Sequence, residues 1–406
     1  MSKADYIYLK TTNRILKEGV WDTNDVVRPK WADGESAHTA KIFAVNNVYD
    51  LSEEFPIVTL RFTNWKAAID EILWIWQKKS NNVKELNSHI WDQWADKNGS
   101  IGKAYGYQLG RKAKYKDGTF DQVDRVIWYL KNQPAFRSMV TELFVHEDLH
   151  AMGLYPCVHG AQFDVTDGKL NLFLNQRSND TLAAGSWNVV QYSALVYMLA
   201  KACNLKPGKL SHMIVNSHIY DRHLPFIVDI TLSRVKLIEE RLTATSLKTA
   251  RGLLTKADFE AFKEFKKTLA VPDKNLDRLL KESKALEINI GRFGLGKDDK
   301  NYLDSKKENF DYEKYCQKVT RTSAFKRAEF VVEVMLNHPE FEKTLSFETP
   351  VLLLDEKVDD FYKFLTPKMK DNSGKIVDNP SSSFAVKNYN YQTDGVKLQA
   401  KVPVAE

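Results

Sequence analysis

Apolar and polar positions along the chain switch between two periods. Near the N-terminus, Ala4 to about Gly19 reads as a helix, followed by the loop Val27-Arg-Pro-Lys-Trp-Ala-Asp-Gly34. Phe55-Pro-Ile-Val-Thr-Leu-Arg-Phe62 is a strand-like run. From Trp65 to Lys78, Ala68, Ile69, Ile72, Leu73, Ile75 and Trp76 recur at helical spacing and predict a buried helix. Gln122 to Lys131 predicts another. Gly160 to Leu174 alternates in strand fashion around Asp167-Gly168, a pair suited to a tight hairpin turn. Asn188 to Cys203 is apolar and helical, with Lys206-Pro-Gly208 as its expected stop, and Ser211 to Ile219 predicts a further strand.

Near Val235 the character changes. From about Lys236 to Phe347 charge is dense and helix signals dominate. Thr255-Lys-Ala-Asp258 has capping-box form and precedes Phe259, Phe262, Phe265 and Leu269. Pro272-Asp273 opens a pattern carrying Leu276, Leu279, Leu280 and Leu286. Gly291 to Gly296 and the polar run to Glu308 read as a loop, and Tyr312 to Leu336 as one long helix. After Pro350, Val351-Leu-Leu-Leu354 is strand-like, then Lys370 to Ser383 is rich in turn residues. No internal repeat is present. The expected organisation is an α/β (α+β) catalytic body over 1–235, a helical insert over 236–347, and a return to the body with a C-terminal lid over 348–406.

A length of 406 residues with 43% hydrophobic positions supports a large core. Three cysteines without framework spacing point to a reducing compartment, and the N-terminus lacks a signal-peptide pattern. With no apolar run of the roughly 20 residues a membrane helix needs, a cytoplasmic protein is expected. The net charge of +6 suits an anionic small molecule and is too small to argue for nucleic acid. Lysines in the insert are interleaved with acids, which points the same way.

Cys157 follows Pro156 and opens the alternating segment, where a thiol near positive charge can act as a nucleophile. Arg177 offers that charge and an anion-binding fork. Asn188 presents a donor and an acceptor side by side, the complement of a uracil edge. His218 and Tyr220 alternate on one strand face and suit a sugar hydroxyl. Glu71 is a lone acid inside an apolar helix, where desolvation would raise its pKa. Singly, each has an ordinary reading: a packed thiol, a solvated arginine, satisfied core polar groups.

Together they resemble the thymidylate synthase family. The resemblance is carried by Asp70-Glu-Ile-Leu-Trp74, His89-Ile-Trp-Asp-Gln-Trp94, Gly102-Lys-Ala-Tyr-Gly106, Pro156-Cys157, Gln176-Arg-Ser178 with Asp180, Trp187-Asn188, His218-Ile-Tyr220 and the tail Val402-Pro-Val-Ala405. Val27 to Gly34 resembles the Firmicute branch. The resemblance implies a twisted sheet packed with helices and a symmetric homodimer, with dUMP and 5,10-methylenetetrahydrofolate as substrates and no metal. Cys157, Glu71, Tyr105 and Asp180 would be catalytic. Arg28, Arg177 and Ser178 would hold the phosphate, and Arg137 would reach the phosphate bound by the partner subunit. Asn188 would read the uracil edge, His218 and Tyr220 would hold the ribose, and Gln176 would be a further substrate-binding residue. Trp91, Trp94, Asp180, Trp187 and Ala405 would surround the folate.

Four departures from the family stand out. Phe136-Arg137-Ser138 replaces a pair of adjacent arginines. Glu406 ends the chain where an apolar residue is usual. Val158 follows the cysteine where many relatives have histidine. The fourth is the insert. A charged end that seals poorly would admit water to the exocyclic methylene, so these departures favour 5-hydroxymethyl-dUMP as product, as in phage enzymes that serve modified DNA. The alternatives are thymidylate synthase proper, giving dTMP and dihydrofolate, and a non-catalytic binding homologue.

Overall fold

In the computed structural model the described residues are 2–31, 33–233, 236–269, 278–279, 281 and 311–390. The expectations for Pro272 to Leu276, Leu280, Leu286, Gly291 to Glu308 and Val402 to Glu406 lie outside them.

A six-stranded sheet forms the centre, in the order β1 (Val20–Trp21), β2 (Thr39–Asp50), β8 (Lys206–Tyr220), β7 (Lys169–Asp180), β6 (Val158–Thr166), β5 (Met139–Glu142). Neighbours are antiparallel except β7 and β8, which run parallel and are joined through helix α5 (Trp187–Ala202). The β6–β7 hairpin turns at Asp167 (φ 51°) and Gly168 (φ 68°), the left-handed pair that Asp-Gly predicts.

One sheet face is covered by α1 (Lys3–Glu18), α2 (Trp65–Trp76) and α5. Trp76 fills the join, edge-on to Phe163 of β6 and Tyr192 of α5. Among the described residues the opposite face carries exposed apolar side chains. Val48, Ser211, Phe173, Gln162 and Val140 form one cross-strand row there. Val48, Phe173 and Val140 are exposed apolar side chains in it.

Three local expectations are corrected. Phe55 to Leu60 is buried but joins no sheet. Its polar groups are taken elsewhere: Phe55 N donates to Pro350 O, and Thr59 N and Leu60 N donate to the carboxylate of Asp5. That carboxylate does what a neighbouring strand would do. Lys206-Pro-Gly208 opens β8 rather than ending α5, which stops at Ala202 with Asn204 at φ 56° beyond it. The long pattern after Tyr312 is two helices, Tyr312–Thr320 and Ser323–Asn337. Thr322 ends the first and caps the second: its Oγ1 donates to Val319 O and accepts from Phe325 N at 3.1 Å. Thr322→Ala should cost about 1 kcal/mol, read as a lower denaturation midpoint at unchanged urea m-value.

The segment from Lys236 onward is helical, as expected, in the pieces Lys236–Ala244, Leu247–Leu253 and Lys256–Leu269. Thr255 Oγ1 accepts from Asp258 N at 3.2 Å, so the expected cap is made, and Phe259, Phe262 and Phe265 are buried. The helix Ser323–Asn337 packs on α1. After Pro350, Val351–Leu354 pairs with Phe384–Lys387, and the turn-rich stretch contains the hairpin Lys368–Lys370 with Ile376–Asp378.

Candidate active site

Strand β6 begins where β7 and β8 end, so Cys157, Arg177 to Asp180 and His218 to Tyr220 converge on one edge of the sheet. Helix α5 starts beside them with Trp187 and Asn188, and α2 brings Glu71.

Cys157 is half-buried. Its backbone N–H donates to the Tyr105 hydroxyl at 3.1 Å, and Arg177 Nη2 stands 3.8 Å from Sγ. Tyr105 is held at φ 46°, an uncommon conformation for a bulky residue, and its ring lies edge-on to Trp91. The guanidinium of Arg177 is anchored on two carbonyls, Nε to Pro156 O at 3.0 Å and Nη2 to Tyr155 O at 2.9 Å. Burial pushes the Cys157 thiol up, while Arg177 and Arg28 pull it down without prevailing. Arg177 thus lowers the thiol as a nearby cation should, but desolvation outweighs both cations and the net direction is up. Arg28 itself is exposed, yet its charge is felt at Cys157 and at Tyr220.

Glu71 meets its expectation. It is 6% exposed, and burial raises its pKa to about 7. Trp91 Nε1 donates to Oε1 at 3.0 Å and Trp187 Nε1 to Oε2 at 2.7 Å, which oppose the rise without cancelling it. Gln191 adds a weaker polar contact, since its Nε2 makes no full hydrogen bond. Trp94 packs edge-on against Trp91 with centroids 5.2 Å apart. The result is a buried carboxyl group held between two indole N–H donors, with a third indole packed behind one of them.

Asp180 is pushed up by burial and pulled down by more, chiefly His223, and ends at about 2. Its Oδ1 accepts from Leu182 N at 3.0 Å and Ala183 N at 3.1 Å, with His223 Nδ1 at 3.3 Å. It is thus an anion that shapes the turn leading into α5. His218 lies edge-on to Tyr220 with its Nδ1 3.1 Å from Asn216 Oδ1. Ser178 is half-buried beside Arg177. Asn188 Oδ1 accepts from Gln176 Nε2 at 3.1 Å, and its Nδ2 donates to Gln191 Oε1 at 3.0 Å.

Arg137 does not join this cluster. It is exposed and precedes Met139, which pairs with Phe163, whereas Glu142 at the other end of β5 pairs with Gly160. Register therefore puts Arg137 at the end of the sheet away from Cys157. Its neighbour Phe136 stacks on Tyr129 at 4.1 Å and 15°.

Three residues of the site escaped the sequence reading: Gln191, His212 and His223. Gln191 lies one helical turn after Asn188, a spacing that brings the two side chains together. His212 is a lone polar residue on the inward face of β8, between Leu210 and Ile214. His223 follows Tyr220 by three residues.

The family model for thymidylate synthase matches residues 6–266. The chain belongs to the thymidylate synthase family. Thymidylate synthases of Bacillus phage phi3T and Bacillus licheniformis are 42% and 43% identical to it over 229 residues, 55% of this chain and 82% of each relative. That of Clostridium beijerinckii is 39% identical over 227 residues. The solved structure of thermostable thymidylate synthase A from Bacillus subtilis superposes with a TM-score of 0.61 at 27% identity, covering 99% of both chains. The family takes 5,10-methylenetetrahydrofolate as its one-carbon co-substrate and works on the C5 position of dUMP. Among the described residues no helix is long and apolar enough to cross a membrane.

Proposed function

We propose that this member is a thymidylate synthase proper, converting dUMP and 5,10-methylenetetrahydrofolate to dTMP and dihydrofolate. The departures noted in the sequence favour a hydroxymethyl product. The comparisons favour methyl, since the relatives at 42–43% identity carry the name thymidylate synthase. Glu406, on which the hydroxymethyl reading leans, lies outside the described residues.

The observation that carries the proposal is the pairing of two groups at one strand edge. Cys157 is flanked by Tyr105 and Arg177, and Glu71 is desolvated between two indoles. In the proposed sequence the Cys157 sulfur adds to C6 of the uracil, and C5 becomes an enolate-type carbon. That carbon attacks the folate methylene. Tyr105 assists removal of the C5 proton, and Glu71 handles the remaining proton transfers. Loss of the C5 proton expels the folate N5, which breaks the N5–methylene bond and leaves an exocyclic methylene on the base. Hydride from the released tetrahydrofolate reduces that methylene as the C6–sulfur bond breaks, giving dTMP, dihydrofolate and the free thiolate. Arg28, Arg177 and Ser178 hold the phosphate, His218 and Tyr220 the ribose. Trp91, Trp94, Trp187 and Asp180 form the folate side, with Ala405 closing it.

The family's dimer fits the sheet face opposite the helices, whose apolar row needs a cover. The same symmetry carries Arg137 to the phosphate bound by the partner subunit, which its own chain places at the other sheet end. The protein acts in the cytoplasm, consistent with free thiols at Cys157, Cys203 and Cys316. The organisation proposed is a helical insert over 236–347 between the body at 1–235 and its return at 348–406, supported by the helices Tyr312–Thr320 and Ser323–Asn337, which pack on α1.

The decisive assay supplies both substrates, follows dihydrofolate by absorbance and identifies the nucleotide by mass. Dihydrofolate with dTMP supports the proposal. Hydroxymethyl-dUMP without dihydrofolate overturns it in favour of the hydroxymethyl product. For the uracil role of Asn188, Asn188→Asp should shift the ratio of kcat/KM from dUMP toward dCMP by about tenfold or more. An unchanged ratio removes that role.

A further inference from the structure

Asn188 can read uracil only if its amide faces one way. Uracil offers N3–H beside the O4 acceptor, and cytosine offers the N3 acceptor beside the N4 amino group. An asparagine turned over by 180° exchanges its oxygen and nitrogen and suits cytosine instead. Something must hold the orientation, and the hydrogen bonds around it have a fixed polarity.

The polarity begins at a group that cannot reverse. Ser178 O, a backbone carbonyl, only accepts, and Gln176 Nε2 donates to it at 2.8 Å. Gln176 therefore presents Oε1 to His212, whose Nε2 lies 2.6 Å away. An oxygen acceptor there requires the proton on His212 Nε2. His212 is 1% exposed, and its Nδ1 has no partner among the described residues. A bare ring nitrogen tolerates that position better than a buried N–H without an acceptor. Burial also lowers the His212 pKa to about 4, so the ring is neutral. The second Gln176 Nε2 proton goes to Asn188 Oδ1, and Asn188 Nδ2 donates on to Gln191 Oε1. Turning Asn188 over would set its amino group against that of Gln176 and its oxygen against that of Gln191.

We infer that His212, which touches no substrate, is a positioning residue for base selectivity: its Nε2–H locks Gln176, and Gln176 locks the Asn188 amide in the uracil-reading orientation. This rests on the proposed reading of Asn188.

The test compares the full-length protein with His212→Leu, which removes the donor, and His212→Gln, which restores a donor near the Nε2 position. Dissociation constants for dUMP and dCMP are measured by calorimetry, and kcat and KM for both nucleotides with 5,10-methylenetetrahydrofolate. His212→Leu should narrow the dUMP-to-dCMP affinity ratio by about tenfold, mainly through KM, and His212→Gln should recover most of it. Equal weakening of both nucleotides, or an unchanged ratio, overturns the inference. Should His212→Leu not fold, nitrogen-15 shifts of labelled histidine in the unaltered protein decide: protonation at Nε2 is expected, and protonation at Nδ1 overturns the inference. An unaltered protein that does not favour dUMP over dCMP sinks the reading of Asn188 itself, and the role of His212 with it.

Discussion

Cys157→Ser should lower dTMP formation by at least about 10⁴-fold while dUMP still binds within a few-fold of the unaltered protein. A serine hydroxyl is far harder to ionise than a thiol, and among the described residues the side-chain partner at Cys157 Sγ is the cation of Arg177 rather than a base. The Cys157 backbone N–H is already committed to Tyr105. Retained binding is expected because the guanidinium of Arg177 is anchored on Pro156 O and Tyr155 O and does not depend on the sulfur. The two measurements are turnover by dihydrofolate absorbance and dUMP affinity by calorimetry. Loss of the first with survival of the second marks a nucleophile. Survival of both would mean that the reaction does not run through the Cys157 sulfur, and absence of turnover in the unaltered protein as well would mean a protein that works by binding alone. The raised thiol pKa adds a sign: burial keeps the Cys157 sulfur mostly protonated at neutral pH. Adduct formation with dUMP should therefore speed up as pH rises toward the thiol's range.

How far the sequence reveals this site depends on how local each cue is. The hairpin at Asp167-Gly168 and helix α5 were legible because their signals lie within a few residues. Phe55 to Phe62 misled because an apolar run looks the same whether its backbone pairs with a strand or with the buried carboxylate of Asp5, some fifty positions away. Strand β2 hid because its alternation breaks at Ala44, whose φ of 55° disturbs the period. Among the site residues, the groups expected to touch substrate surfaced through the family resemblance. His212 and Gln191 did not, because they act only on other side chains. The net direction of the Cys157 pKa was hidden for a related reason: arginines can be seen in a sequence, and the depth at which a thiol sits cannot.

Glu71→Gln should give an enzyme that is poorer at high pH and also better folded there. Proton transfer by a positioned carboxyl group contributes about 10² to 10⁴, so kcat should fall by that order, and the pH–rate inflection near 7 should vanish. Stability moves the other way. The folded pKa of about 7 lies above the ordinary 4.5 because burial penalises the anion. Below pH 4.5 the group is neutral in both states and nothing is lost. As pH rises through 7 the unfolded chain gains by ionising freely while the folded chain resists, so stability declines and then levels off. The gap corresponds to roughly 3 kcal/mol. Glutamine does not ionise, although its amino group must face one of the two indole donors and forfeits that hydrogen bond. The offset at any single pH is therefore less informative than the slope. Between pH 4 and pH 8 the variant's stability relative to the unaltered protein should improve by roughly 3 kcal/mol, measured by urea unfolding at each pH. A difference that stays flat would mean that Glu71 ionises in the folded protein as readily as in water, and its assignment as the proton-transfer group would lose its physical basis.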